Sequence, residues 1–141
     1  MSSIREIFER NCSKIPEFHC KEGCGKCCGV HYWSTMEWKI ITAFLKEHGR
    51  KQQYAREILD MCPYLDEKKR CTIYEVRPAI CRLYGVVQAM QCPYRKAKQY
   101  LSDDEAINVL RACGVLGTSK QIYPVVRLAE EVNVEGVIPK N

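Results

Sequence analysis

The chain has 141 residues, a formal net charge of +5 and ten cysteines. This length suits one domain with a modest core and excludes two ordinary domains. No run approaches the roughly 18 apolar residues of a membrane span, and the charged N-terminal stretch has no apolar signal segment. We therefore expect a cytoplasmic protein with no membrane partner. The even cysteine count would also allow disulfides, so parity alone decides nothing.

The positive charge becomes small once bound metal is counted. If eight thiolates hold two divalent ions, the two sites together contribute about −4 to the net charge. Two four-thiolate [4Fe–4S] centres contribute about the same. The chain would then lie near neutrality, so its basicity does not imply a nucleic-acid partner. A protein partner or redox partner is the expectation, and its identity cannot be read from the sequence.

The first half of the chain predicts helices around a cysteine-rich loop. Residues 3–11 predict a short helix that Ser2 or Ser3 caps, and residues 13–31 predict an irregular loop. Ser34-Thr-Met-Glu37 is a capping box, which predicts a helix ending near His48 with Gly49 as its stop. Residues 50–61 predict a second helix, so that 34–61 would form a helical hairpin.

The second half predicts shorter elements. Strand propensity on both sides of a charged turn allows a short hairpin over 63–74. Pro78 predicts the start of a one- to two-turn helix that ends at Gly85. Further helices are expected over 92–101, from the capping box at Ser102 to Gly114, and over about 124–131.

Together these patterns predict a mostly α fold. It is a small single domain over 1–141, built of short helices and irregular cysteine-rich loops, with room for one short β-hairpin. We expect it to be organised around one or more metal centres.

The ten cysteines fall into two predicted groups. Cys12 lies apart from the others and Cys113 occupies an apolar helix position, so both are predicted to be core residues. The other eight are predicted to be metal ligands: Cys20, Cys24, Cys27, Cys28, Cys62, Cys71, Cys81 and Cys92. The side chains of the adjacent pair Cys27-Cys28 tend to diverge, so this pair is where two centres, or two parts of one larger centre, would meet.

The donor set limits the choice of metal. Soft thiolates select zinc, Cu(I) or iron–sulfur clusters over hard cations. Dense sulfur-only ligation, together with the Cys-Pro pairs at Cys62 and Cys92, favours an iron–sulfur cluster of the 4Fe-4S type. Zinc is the alternative, because all-cysteine zinc sites with glycine-rich loops are common. His19 and His31 flank the cluster and are candidates for alternative ligands or for partners of the ligands.

The spacing Cys20-x₃-Cys24-x₂-Cys27 also matches the cluster motif of radical S-adenosylmethionine enzymes. Those enzymes are built on a longer βα-repeat barrel, and this chain shows no βα alternation, which disfavours that interpretation.

A block around Cys81 carries a family resemblance. Cys71-x-Ile-Tyr-x-x-Arg-Pro-x-x-Cys81-Arg, together with Cys24-x₂-Cys27-Cys28 and His31-Tyr-Trp-Ser, resembles the CxxCxxCC (YkgJ-like) cysteine-cluster family. That family is described as a zinc- or iron-chelating domain. The similar core covers about residues 20–97 and leaves 98–141 as a C-terminal helical extension. The first spacing departs from the family pattern, with three residues instead of two between Cys20 and Cys24.

The cysteine motif is also similar to that of the longer flagellin lysine N-methylases, which implies a methyl-transfer role as one alternative.

The residues beside the cysteines have predicted roles as well. Arg77 and Arg82 flank Cys81 and are expected to lie beside the centre, where cations lower the cost of burying an anionic group. The alternative for each is a surface ion pair with Glu75 or Asp66. Aromatic residues are expected to shield the centre or to belong to the core: Tyr32, Trp33, Trp38, Tyr74 and Tyr84.

The sequence therefore predicts a metal-binding protein, with an iron–sulfur redox or metal-handling role favoured. The alternatives are a structural zinc module for protein or nucleic-acid interaction and an S-adenosylmethionine-dependent methyl-transfer enzyme or subunit. No catalytic residue is identified, so whether the protein is an enzyme is undecided.

Overall fold

The computed structural model describes residues 3–20, 24, 28–29, 31–57 and 60–115, and the backbone of 121–122. In these ranges it contains four α-helices and a 3₁₀ turn over Tyr74–Val76. The helices are α1 (Ile4–Asn11), α2 (Thr35–Glu47), α3 (Ala79–Leu83) and α4 (Asp103–Ala112). The mostly helical fold is confirmed for this part of the chain. The helix predicted over 124–131 lies outside the described residues.

Two short strands complete the set of elements. β1 (Trp33–Ser34) pairs antiparallel with β2 (Gln121–Ile122), with Trp33 opposite Ile122. Within the described ranges, no helix has both the length and the apolar character needed to cross a bilayer.

Both predicted capping boxes are confirmed, and they begin α2 and α4. The Ser34 hydroxyl accepts a hydrogen bond from the Glu37 N–H at 3.1 Å, and the Glu37 carboxylate accepts one from the Ser34 N–H at 2.9 Å. Ser102 and Glu105 exchange the same two bonds at 3.2 and 3.0 Å. These reciprocal bonds satisfy backbone donors that a helix N-terminus otherwise leaves without partners. The two boxes differ in burial, since Glu37 is only 1% exposed whereas Glu105 is exposed.

The core lies between the helices and the loops that follow β1. α1 packs on α2, and α3 packs on α4. The Trp33 ring lies between those of Trp38 and Tyr64, with ring centres 5.7 and 5.6 Å apart. The largest fully buried side chains include Phe8, Ile41, Tyr64, Ile73 and Leu83.

The helix predicted over residues 50–61 is wrong for the described part of that range. α2 ends at Glu47, and Gly49 then takes a φ of +61°. The chain forms no helix over 50–57 and 60–61, with 58–59 outside the described residues. Arg50 donates to the carbonyl of Thr72 at 2.6 Å, and the Gln53 N–H donates to the Tyr64 hydroxyl at 3.0 Å. Bonds to a distant segment therefore replace the local bonds of a helix, and no helical hairpin forms.

The predicted hairpin over 63–74 is present in a short form. Leu65 and Cys71 form an antiparallel bridge, and the Thr72 N–H donates to the Tyr64 carbonyl at 2.9 Å. The Asp66 carboxylate accepts hydrogen bonds from the Lys68 and Arg70 N–H groups and so stabilises the turn. The pairing ends where the 3₁₀ turn begins at Tyr74.

Helix α3 begins and ends close to the predicted positions. Pro78 is its N-cap, and Gly85 follows its last turn with a φ of +95°. A β-carbon at Gly85 would lie 2.6 Å from the Phe18 ring, so only glycine fits here without a shift. This contact places the loop that carries Phe18 over the end of α3.

The helix predicted over 92–101 is also wrong. Residues 91–100 form no regular element, and Leu101 pairs with Val87 in a parallel bridge. The Leu101 N–H donates to the Val86 carbonyl at 2.7 Å, and the Gln88 N–H donates to the Leu101 carbonyl at 3.1 Å. Pairing with the chain that follows α3 thus takes the place of local helical bonds.

Candidate metal centre

One large cavity gathers the predicted ligands. Its volume is about 680 Å³, and its lining comes from the first cysteine loop, the 63–74 hairpin, α3 and the segment around residue 92. Seven of the eight predicted cysteines line it: Cys20, Cys24, Cys28, Cys62, Cys71, Cys81 and Cys92. The eighth, Cys27, lies outside the described residues. Cysteines that lie up to 72 positions apart in the chain therefore line the same cavity.

None of the nine described cysteines forms a disulfide. Cysteines that share one cavity and form no disulfide are available as metal ligands, because the thiolate is the form that binds a soft metal.

Backbone hydrogen bonds bring the separate segments together. The Cys62 N–H donates to the Cys28 carbonyl at 2.9 Å, and Gly29 and Met61 form an antiparallel bridge beside it. Farther round the cavity, the Arg95 guanidinium donates to the His19 carbonyl at 3.3 Å. These contacts join the first cysteine loop to the hairpin on one side and to the segment after Cys92 on the other.

Burial and neighbouring thiols influence the ionisation of Cys62, Cys71 and Cys81. Burial raises the pKa of the Cys81 thiol far above its ordinary value, and the nearby thiols of Cys62 and Cys71 raise it further. Burial also raises the pKa of Cys62 and of Cys71; Cys71 contributes to the rise at Cys62, and Cys20 contributes to the rise at Cys71. Without a bound cation these sulfurs are neutral thiols. Mutual repulsion of their anionic forms is what a bound cation would relieve.

Apolar and aromatic side chains make up much of the remaining wall. Trp33, Tyr74 and Tyr84 line the cavity as expected, whereas Trp38 lies behind Trp33 in the core and Tyr32 is exposed. No local pattern in the sequence identified the other apolar members of the wall, namely Phe18, Ile73, Ile80 and Met90. Such a wall limits access of water and lowers the local dielectric constant, which strengthens charge interactions inside it.

The two histidines near the cysteines also reach the cavity. His19 and His31 both line it, which is compatible with a role beside the ligands or as alternative ligands. His48 is elsewhere, at the end of α2, where its ring Nδ1 lies 2.9 Å from the Phe44 carbonyl.

Arg77 and Arg82 have different surroundings. Arg77 lines the cavity, and its guanidinium lies 3.8 Å from the centre of the Tyr74 ring. Its positive charge lowers the pKa of Cys71 and of Cys81, against the larger effect of burial. The expectation that Arg77 lies beside the cysteines is therefore met.

Arg82 points away from the cavity, so its expected place beside the centre is wrong. Its guanidinium makes two hydrogen bonds, of 2.8 and 2.9 Å, to the Glu9 carboxylate and packs on the Phe8 ring. Its ion-pair partner is thus Glu9 of α1 rather than Glu75 or Asp66. Because Arg82 follows Cys81 on α3, this pair ties the cysteine-bearing helix to α1.

Glu37 is a functional candidate that sequence reasoning missed. One carboxylate oxygen accepts from Ser34 in the capping box, and the other accepts from the Ala79 N–H at 2.5 Å. Ala79 opens α3 two residues before Cys81. Glu37 therefore fixes the start of the cysteine-bearing helix against α2. The capping-box motif identified this glutamate, but only the tertiary structure shows that its second oxygen reaches α3.

The donors surround the cavity without meeting at one point in the described part of the chain. Among residues 3–20, 24, 28–29, 31–57 and 60–115, no three histidine, cysteine, aspartate or glutamate side chains form a group that could hold one metal ion. The chemistry of the donors nevertheless fits a sulfur-liganded metal group, since seven cysteines that form no disulfide share this cavity.

The fold and this cavity define a class of protein, a small helical domain whose loops present many thiols to one space. The chain belongs to the CxxCxxCC family, described as a "putative zinc- or iron-chelating domain", whose model matches residues 19–114. Membership of this family supports metal binding in general and does not distinguish zinc from iron. Neither the curated proteins nor the solved structures gave a significant match.

Proposed function

We propose that this domain binds an iron–sulfur cluster of the 4Fe-4S type in its cysteine-lined cavity and serves a redox or metal-handling role. The observation that carries the proposal is the cavity itself, in which seven cysteines from separate segments, none of them in a disulfide, line about 680 Å³. Sulfur-only donors of this number suit iron–sulfur chemistry.

The size of the cavity supports a multi-atom group over a single ion. In a tetrahedral zinc site the Zn–S distance is about 2.3 Å, so four sulfurs enclose one atom in a compact shell. In a 4Fe-4S cluster each of the four cysteines binds a different iron atom, and the ligand sulfurs surround a larger inorganic core. A cavity of about 680 Å³ is closer to the second requirement.

A 4Fe-4S cluster takes four cysteine ligands. The proposed ligands, four to each cluster, are drawn from the eight cysteines of the predicted set: Cys20, Cys24, Cys27, Cys28, Cys62, Cys71, Cys81 and Cys92. Such a cluster supplies one-electron redox chemistry when bound. The chain's own contribution is to hold the ligands, to exclude water with Trp33, Tyr84 and Met90, and to place the charge of Arg77 beside the anionic sulfurs. A redox role further implies a protein partner that exchanges electrons with the domain.

Anaerobic purification followed by metal and sulfide analysis tests the proposal. We expect a brown protein that absorbs at about 400 nm, contains iron and acid-labile sulfide, and is bleached by a reductant. A colourless protein with two tightly bound zinc ions would overturn it and would establish the structural zinc module instead. Reversible reduction in a redox titration would separate an electron-carrying centre from one that only stabilises the fold.

A further inference from the structure

Two cysteines outside the cavity touch each other in the core. The sulfur atoms of Cys12 and Cys113 are 3.7 Å apart, although the residues are 101 positions apart in the chain. Both side chains are buried, with Cys12 6% and Cys113 0% exposed, and both thiols are free. Neither residue belongs to the cavity lining. Predicted separately as core cysteines, they form a contacting pair.

The backbone around the pair holds the two sulfurs in place. Cys12 is the C-cap of α1 and Cys113 is the C-cap of α4. The Asn11 side-chain amide donates to the Ala112 carbonyl at 2.9 Å, and the Ser34 hydroxyl donates to the Cys113 carbonyl at 2.7 Å. The two helix ends are therefore fixed to each other next to the thiols. The sulfurs need to approach by less than about 2 Å to reach the S–S length of a disulfide.

We propose that Cys12 and Cys113 are a redox-active dithiol, separate from the metal site, which a small peroxide such as hydrogen peroxide oxidises to a disulfide that links α1 to α4. The bond would lock the first helix onto the last described helix. Because Arg82 joins α1 to α3 through Glu9, the same bond would also restrain the helix that carries Cys81.

The chemistry balances with peroxide as the oxidant. The Cys12 thiolate attacks one peroxide oxygen, the O–O bond breaks, and the leaving hydroxide takes a proton to become water. The sulfur of Cys113 then attacks the resulting sulfenic acid, the S–S bond forms, and a second water leaves. Two thiols together lose two electrons and two protons, and one peroxide is reduced to two waters. A thiol reductant reverses the modification.

The pair also indicates which sulfur reacts first. A hydrogen bond with Cys113 lowers the pKa of Cys12, and the positive charge of Arg82 lowers it further, against the opposing effect of burial. The thiolate is the reactive form of cysteine. Cys12 is also the more accessible of the two, at 6% exposed against 0% for Cys113, so we assign the nucleophile to Cys12 and the resolving thiol to Cys113.

Peptide mapping of the metal-loaded protein tests the proposal directly. Trypsin cleaves after Arg10, Lys14, Arg111 and Lys120, so residues 11–14 and 112–120 are released as peptides with one cysteine each. After limiting hydrogen peroxide we expect these two peptides joined, with a mass about 2 Da below their sum, and separated again by dithiothreitol. A joined pair made only of cavity cysteines, with both test peptides reduced, would overturn the proposal.

The effect on stability gives a second measurement. A bond that closes a loop of about 100 residues removes much of the conformational freedom of the unfolded chain, so peroxide should raise the Tm by on the order of 10 °C. Cys12→Ala is the matched control, since alanine keeps the site small and apolar. In that variant we expect wild-type metal content and no rise in Tm with peroxide. An equal rise in the variant would show that the stabilising bond lies elsewhere, and peptide mapping of the wild type decides the matter if the variant does not fold.

Discussion

The nine described cysteines are divided between two regions with opposite construction. Cys12 and Cys113 end regular helices and are packed against each other in a core of apolar side chains. Seven others lie at the edge of a cavity, mostly on loops and turns that have few regular hydrogen bonds. The helical region can be held by local backbone bonds and apolar burial. The cavity region depends on a few bonds between segments and, in our proposal, on the group that its thiols bind.

Two charged residues connect the regions. Glu37 on α2 accepts the first N–H of α3, and Arg82 on α3 pairs with Glu9 on α1. Both act on the short helix that carries Cys81. The difference between the regions can therefore be tested by removing the metal, a cavity thiol or one of these connections.

Removal of the metal should have the largest effect. Ligation contributes about 10–16 kcal/mol to small structural zinc sites, and a comparable contribution to this loop-rich region would lower the Tm by roughly 20 °C or more on chelation. Circular-dichroism melts before and after full demetallation measure this change. An unchanged melt would mean that the cavity region folds without its metal.

A single cysteine from each region provides the next comparison. Cys81→Ala should reduce the bound metal by half or more, because this thiol lines the cavity and lies close enough to Cys62 and Cys71 for them to raise its pKa. Cys113→Ala should keep the metal at wild-type level and cost about 1–2 kcal/mol of stability through lost packing. Metal analysis with a denaturant melt on both variants distinguishes them. Equal metal loss in both variants would contradict the division of the cysteines into a core pair and a metal-binding group.

Loss of the Glu37 side chain should lower the free energy of unfolding by more than the loss of a capping box alone. Glu37→Ala leaves the N–H groups of Ser34 and Ala79 buried without an acceptor, at about 1–3 kcal/mol each. Glu105→Ala removes the same element of the second capping box on an exposed surface and should cost much less. Urea unfolding of both variants measures the difference, and equal losses would show that the bond to α3 contributes nothing.

Ionisation of Glu37 should make the free energy of unfolding depend on pH. Burial raises the pKa of this carboxyl above 4.5, against the hydrogen bonds from Ser34 and Ala79 that lower it. The folded state then binds the proton more tightly than the unfolded state. The contribution of Glu37 is therefore largest below the unfolded pKa and is lost as the pH rises through the folded value.

Glu37→Gln removes the titrating group and is the control for that pH dependence. We expect the stability of the wild type, relative to this variant, to fall as the pH rises from about 4.5 toward neutrality. Urea unfolding of both proteins at several pH values gives the difference, in which other titrating groups cancel. A difference that is constant with pH, or that grows as the pH rises, would contradict the assignment.

The smallest effect should come from Arg77. Because its guanidinium lies in the cavity wall, Arg77→Gln should lower the midpoint potential of the proposed cluster, by on the order of 50 mV for a nearby unit charge. Arg82→Gln, which breaks the pair with Glu9 outside the cavity, should leave the potential nearly unchanged. A redox titration of both variants measures the two changes in midpoint potential. A larger change for Arg82→Gln than for Arg77→Gln would contradict the placement of Arg77 beside the proposed cluster.

Local chemistry explains which predictions succeeded. The capping boxes at Ser34 and Ser102 and the turn at Gly85 were predicted because each depends on residues within a few positions. The helices predicted over 50–61 and 92–101 failed where distant partners competed. Arg50 bonds to Thr72, and Leu101 pairs with the segment after α3, and neither partner is visible in a local pattern.

The sequence by itself determined that eight cysteines are potential soft-metal ligands and that Cys12 and Cys113 belong to the core, since residue type and local polarity suffice for both. The tertiary structure decided that seven of the eight line one cavity, that Glu37 reaches α3, that Arg82 turns to α1, and that the two core thiols touch. Each of these depends on how segments far apart in the chain are packed, and residue spacing carries no information about such distances.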